Sequence, residues 1–529
     1  MIISLRFRGS FMLLTLLVGS TALRADSCFS GCSTTPVCAI NCAPSSCVSS
    51  SISCTTSCDD KDDCKGSHSF FMPRSITNDP TFAFANNYHY LHHRIRSDDQ
   101  CSWLSIIASP FYQKSRRGCD LAQYFFPRCQ NSIKIAEDGS GDVNSLQVEL
   151  VAPAPATNFF SSTLTMSPVR TTYGAYFTAQ LDLSNYVDHV WANISFAAVH
   201  AKHDLHLSEL NIVNPATGVA GISNAIQAFN NPRWCAGKLS PCALHRSGVD
   251  DIAIKVGYDW YWCAERDDLL SLYLIGTIPT GNRPKSVHVF EPIVGTKHGS
   301  VGFGVTGDVQ LWQCEDQELR FMANFDYRYA FRATERRSFD LCANGEWSRY
   351  LQVAYRQFPS LSLPGINFFT QFVDVRPRST IDLWAALHYS YCDLNFEAGY
   401  VFWWRQKESI CLKCTDFSND LAIYDMPGEC PNRAPVSAST ANISQSIVGT
   451  NRIVSDASFI SLNNAALNLD SGAHPRAISH KVYGAVSYTP HICNSLPLII
   501  GLGGSYEFAR PRRNALTQWA FWGNLGVSF

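Results

Sequence analysis

Residues 319–332, LRFMANFDYRYAFR, alternate in polarity from end to end. One face carries Leu319, Phe321, Ala323, Phe325, Tyr327, Tyr329 and Phe331. The other carries Arg320, Asn324, Asp326, Arg328 and Arg332. A period of two is the mark of a strand with chemically different faces. Strands of soluble sheets average about five or six residues, whereas a tilted strand needs about 9–11 to cross a bilayer. The pattern returns at 252–262, 301–312 and 394–405, with aromatics gathered toward the ends of the runs, as interfacial girdles require. After residue 25 no run of about 18 apolar residues occurs, which excludes a helical membrane bundle. The fold these features specify is all-β: a transmembrane, antiparallel, up-and-down β-barrel.

Candidate strands fall at 102–113, 131–137, 144–152, 172–184, 190–203, 252–263, 269–280, 300–313, 318–332, 349–357, 366–375, 381–391, 394–405, 479–489, 498–509 and 517–529. That is about 16 strands, within a range of about 14–18, and an even number returns both termini to the periplasm. Alternating direction then puts short turns near 185–189, 264–268, 314–317 and 392–393 on the periplasmic side. The two longest connections, near 204–250 and 406–478, fall outside. Short turns inside and long loops outside are what such barrels have, and loop length was not used to assign direction.

The chain has 21 cysteines among 529 residues, too many for a reducing cytosol. Arg6 and Arg8 precede the apolar run Phe11–Val18, and small residues follow at Ser20, Ala22 and Ala25. This reads as an export signal over residues 1–25. Residues 26–67 are rich in Ser, Thr and Cys, with cysteines at Cys28, Cys32, Cys38, Cys42, Cys47, Cys54, Cys58 and Cys64. They have too few large apolar residues for a core and are expected in the periplasm. Residues 68–100 read as a linker or lead-in, within which 88–94, YHYLHHR, is either a plug or an amphipathic approach to the barrel. The barrel itself is expected over 101–529. A net charge of -2 gives no general attraction to nucleic acid.

The last strand places Trp519, Phe521, Leu525, Val527 and terminal Phe529 on one face. This resembles the C-terminal assembly signal of bacterial outer-membrane β-barrels, in which Phe529, Val527 and Leu525 would be read by the barrel-assembly machinery. The resemblance implies an outer-membrane location, contact with outer-membrane lipid and a porin-like channel. The polar faces of the strands would then line a water-filled pore: Lys255, Asp259, Asp308, Gln310, Arg320, Asn324, Asp326, Arg328, Arg332, Asp382, His388, Asn395, Glu397 and Arg405. Such a wall suits passive diffusion of small hydrophilic solutes. Loop 204–250 is similar in place and length to the loop that narrows general porins, and Cys235 and Cys242 are spaced to close a small ring there.

Cys101, Cys263, Cys314, Cys392 and Cys493 all fall at expected periplasmic strand ends. In composition and architecture this is similar to the cysteine-rich major outer-membrane proteins of chlamydiae. That likeness implies a structural or adhesive alternative, with the barrel disulfide-linked to envelope proteins or to further copies of itself. Phosphate-binding loops, nucleophile elbows and zinc-protease motifs do not occur. Neither an enzyme nor a cofactor is expected.

Overall fold

The computed structural model describes residues 66–92, 103–136, 141–143, 160–184, 186–213, 224–263, 266–355, 358–413, 421–423, 466–492, 496–509 and 514–529. Twelve long antiparallel strands form a closed barrel. They are β1 (Leu104–Arg116), β2 (Val169–Asp182), β3 (Val190–Asp204), β4 (Ile252–Cys263), β5 (Asp268–Ile278), β6 (Ser300–Cys314), β7 (Gln317–Ala330), β8 (Arg378–Tyr391), β9 (Leu394–Arg405), β10 (Ala477–Tyr488), β11 (Leu496–Ala509) and β12 (Thr517–Ser528). Each pairs with its neighbour in sequence. Closure comes from β1 against β12, in a register that sets Ser105 opposite Ser528 and Arg116 opposite Thr517. A closed sheet has no free edge, so the wall strands satisfy one another's backbone groups without leaving an open edge to lipid.

The outward faces carry the exposed apolar side chains, among them Val256, Trp260, Leu274, Phe321, Leu387, Tyr400, Leu502, Phe521 and Leu525. Phe529 and Val527 also point outward along the last strand. The backbone of Phe529 is fastened to β1, through its amide to the Leu104 carbonyl at 2.8 Å and its carbonyl to the Trp103 amide at 2.7 Å. Inside the barrel, large rings lie across glycines of the adjoining strand. Trp191 covers Gly257, Tyr273 covers Gly304, Tyr483 covers Gly399 and Trp522 covers Gly503; a Cβ at any of these glycines would lie within 2.4 Å of a ring atom.

Connections at the barrel end that holds Leu104 and Phe529, the terminal end, are short: 183–189, 264–267, 315–316, 392–393 and 489–495. Those at the opposite end, the loop end, build a roof. One roof sheet joins Ser132–Ala136, Ser161–Thr165 and Ser208–Val213; another joins Ala333–Ser338, Thr370–Arg376 and Ser409–Leu412. A core of Phe125, Phe126, Phe229, Trp234, Trp347 and Tyr350 lies beneath them.

The strand total corrects the expected sixteen. The segments near 131–137, 349–357 and 366–375 do form strands, but in the roof, and 144–152 lies outside the described residues. Roof strands also have one buried and one open face, so their alternation copies that of the wall. Because they entered as two pairs, strand direction in the wall stays as expected. Loop 204–250 does not turn into the lumen in its described part. Its Phe229, Trp234 and Leu239 pack in the roof core, and its Leu244–Val249 extends the sheet beside β3. Cys235 and Cys242 are not joined by a disulfide, so the expected small ring does not form.

Candidate functional site: the occupied lumen

Residues 66–92 pass through the barrel from the loop end to the terminal end. Ser67 is held in the roof, where its hydroxyl donates to Asp340 at 2.6 Å and accepts from the Trp347 amide at 2.9 Å. Arg349 pairs with the same Asp340 at 3.0 Å. At the other end the Tyr90 hydroxyl donates to the Pro497 carbonyl at 2.8 Å and accepts from Ser528 at 3.0 Å. Between these anchors lie two short helices, α1 (Pro80–Phe84) and α2 (Asn87–His92). Asp79 caps α1 by accepting from the Thr81 amide at 3.0 Å. Pro80 follows it, where the missing N–H costs nothing.

The segment is apolar enough to pack and polar enough to pair. Phe82 lies against Phe111, Tyr176 and Trp522, with ring centroids 5.1–6.2 Å apart. Phe84 lies 5.1 Å from Trp384. Fully burying each such ring contributes about 1.5–3 kcal/mol. Charged groups are then matched level by level. At the loop end, Asp250 accepts from the Ser75 hydroxyl and from the amides of Ile76 (2.7 Å) and Thr77 (3.0 Å). Arg74 and Arg328 share the carboxylate of Asp382. Midway, Lys481 of β10 pairs with Asp79 and has Glu507 at 3.7 Å. Below that, the Asn86 amide donates to Glu397 at 2.9 Å, and Asn524 donates to the Ala85 carbonyl at 3.1 Å. Near the terminal end, His92 lies 3.4 Å from Asp259. An unpaired buried charge would cost several kcal/mol, so this correspondence ties the segment to one depth and one orientation.

Most residues expected to line a pore do face inward. Asp259, Asp308, Arg320, Asn324, Asp326, Arg328, Asp382, His388, Asn395, Glu397 and Arg405 are all buried. Lys255 lies over the ring of Phe84 at 4.9 Å and 3.9 Å from Asp326. Asp308 and Glu318 hold Arg320 at 2.7 and 2.6 Å within the wall, and His388 lies 3.3 Å from Glu397. Two residues differ. Gln310 sits where the β6–β7 register shifts and bonds to Gln313 and Glu318. Arg332 lies past the end of β7 with its side chain 60% exposed, so it does not line the lumen. Alternation runs on for two residues after the wall has ended.

The expectation of a water-filled lumen is therefore replaced by a filled one. The plug residues Arg74, Asp79, Phe82 and Phe84, and their partners Asp250, Lys481 and Glu507, were not singled out from sequence. The cue available was Asp79-Pro80, a helix start inside a stretch crowded with aromatics and lacking any period of two. Asp250 lies outside the wall strands. Burial, and then the adjacent Asp251, push its carboxyl up to about 6.

Of the five cysteines expected at the periplasmic rim, Cys263, Cys314 and Cys392 occupy three successive terminal-end turns as free thiols. Cys101, Cys493 and the eight N-terminal cysteines lie outside the described residues.

No family model matches the chain, and no curated protein matches it. Among solved structures it is similar to the COG4313 outer-membrane channel from Pseudomonas putida F1, at 10% identity and a TM-score of 0.33, over 82% of this chain and 98% of that one. A FadL homologue from Pseudomonas aeruginosa gives 8% identity and a TM-score of 0.25, covering 81% and 89%. The translocator domain of the autotransporter NalP from Neisseria meningitidis gives 7% and 0.21, covering 84% and 94%. Similarity of this degree says nothing of what this chain carries.

Proposed function

We propose that this chain is an outer-membrane channel for small hydrophilic solutes, closed at rest by its own residues 66–92. The observation that carries the reading is the ion pair between Asp79 of the plug and Lys481 of the wall, each about 2% exposed. A polar, charged inner wall suits a solute path, and reversible pairing to a plug suits a gate. Passage then requires the plug to shift; the chain contributes no covalent chemistry. The terminal end faces the periplasm, as the short turns there favour. Outer-membrane lipid surrounds the girdle, and Phe529, Val527 and Leu525 present the assembly signal to the barrel-assembly machinery. Planar-bilayer recording tests the reading. The full chain should be silent with brief openings, and a variant lacking residues 66–92 should conduct steadily. A deletion variant that is folded but silent would overturn it.

A second reading, a structural barrel disulfide-linked to periplasmic envelope proteins, has one observation in its favour. Cys263, Cys314 and Cys392 form a row of free thiols along a single rim. Ser67, by contrast, is fixed at the loop end, away from that rim. A non-reducing gel of whole envelopes separates the readings. Reductant-sensitive, high-mass species that vanish in a variant lacking the three thiols would favour the second.

A further inference from the structure

On the outer surface of the wall, β10, β11 and β12 enclose a groove of about 560 Å³, within the roughly 300–1,000 Å³ of pockets that hold small molecules. Gly484 and Gly504 form its floor, and Val482, Tyr506, Trp519 and Phe521 form its sides. The register accounts for the hollow. Gly484 stands opposite Gly504, and Val482 opposite Tyr506; Gly504 stands opposite Phe521, and Tyr506 opposite Trp519. Neither glycine has a positive φ, so the backbone does not require glycine at either position. The space exists because two paired outward positions lack side chains. Apart from its chain neighbours, a Cβ at Gly484 would have only the Glu397 carbonyl oxygen within 4 Å, at 3.9 Å.

The loop-end edge of the groove is cationic. Arg116, the last residue of β1, belongs to its lining, which contains no Asp or Glu. Lys114 is set opposite Trp519. Both cations are exposed and alternate with buried Gln113 and Ser115, so both point outward. Among the described residues neither is in an ion pair; Asp120, the nearest acid in sequence, lies 3.9 Å from Arg117. The Trp519 ring lies 5.4 Å from that of Tyr112 and 5.3 Å from that of Phe521. Such a belt of aromatics marks the membrane–water interface. At that level Lys114 and Arg116 meet headgroups, while Gly484 and Gly504, nearer the middle of the wall, meet acyl chains. We propose that the groove is a binding site for one anionic phospholipid of the leaflet at the loop end, with an acyl chain over Gly484 and Gly504 and its phosphate on Arg116 and Lys114. The site depends on the wall facing lipid and not on passage through the barrel.

Native mass spectrometry of the full chain in neutral detergent tests this, with phosphatidylglycerol and phosphatidylcholine of identical acyl chains added separately. One phosphatidylglycerol should be retained per chain, preferred about tenfold over phosphatidylcholine, as two cations near a headgroup imply. Lys114→Gln combined with Arg116→Gln should bring phosphatidylglycerol down to the phosphatidylcholine level. Gly484→Leu fills the floor and keeps both charges, so it should cut phosphatidylglycerol retention by a similar factor. Arg332→Gln, exposed at the loop end beyond β7, should retain lipid as wild type. Equal retention of the two lipids by the wild type would overturn the proposal. So would a preference that survives in the folded double variant, or full retention in a folded Gly484→Leu variant. If one variant fails to fold, the other and the wild-type comparison decide. Because lipid retention is read without current, failure here leaves the channel reading standing, and silence in a bilayer leaves this site standing.

Discussion

Asp79→Asn removes one charge from the plug and little else. The amide keeps the shape of the side chain and can still cap α1 at the Thr81 amide. Lys481, 2% exposed, loses its closest partner. Breaking a buried pair on one side costs about 3–5 kcal/mol. Here Glu507, 3.7 Å from the same ammonium, takes up part of the charge, so the lower figure of about 3 kcal/mol applies. At about 1.4 kcal/mol per decade, that raises the undocked population of the plug roughly a hundredfold. Single-channel recording reads this directly as opening frequency. Adding Lys481→Met removes the stranded ammonium and should return much of the closure, so the two substitutions should be strongly non-additive in a double-mutant cycle. High salt should change the effect little, because the pair is buried. Wild-type opening frequency in a folded Asp79→Asn variant, or strictly additive effects in the cycle, would refute the reasoning.

Three other outcomes are expected. Asp250 has its carboxyl raised from 3.8 to about 6, so it binds a proton more tightly folded than unfolded. Its contribution of roughly 3 kcal/mol is fully present below about pH 4 and fades as pH rises through about 6. In urea melts the stability gained between about pH 7.5 and 5 should be larger in wild type than in Asp250→Asn; equal slopes would contradict this. Gly503→Val places a side chain against the Trp522 ring, which a Cβ would meet at 2.3 Å, and should cost about 1–3 kcal/mol of stability. Gly276→Val, with nothing within 4 Å of its Cβ position, is the control and should be near neutral. A membrane-impermeant maleimide should reach Cys314 and Cys392 in broken envelopes and miss them in intact cells; labelling in intact cells would invert the orientation.

The wall was legible because lipid and interior demand opposite chemistry at successive residues, and β4, β7 and β9 show that contrast without interruption. The roof was misread for the same reason. Ser132–Ala136 and Thr370–Arg376 are also one-sided sheets, and alternation does not say what lies on the open side. The plug was legible only at 88–94, where it was one of two readings; 66–87 gave no such sign, because a segment surrounded by wall has no face to spare. Phe82 and Phe84 are buried at one level, while Asp79 pairs just above them. Its partners are also remote: Asp79 and Lys481 stand 402 residues apart, and only closure of the barrel brings them together. The inward charges were found, but their targets were not, so a wall built to grip a plug read as a wall built to hold water.

Hydrogen exchange of the full chain tests the filled lumen most directly. The amides of Ile76 and Thr77 donate to buried Asp250 beside the wall, and that of Asn86 to Glu397 of β9. They should exchange as slowly as amides of neighbouring wall strands such as β7 and β8. Exchange of 76–92 at the rate of an unprotected peptide, with the wall strands protected, would mean that the segment does not occupy the barrel.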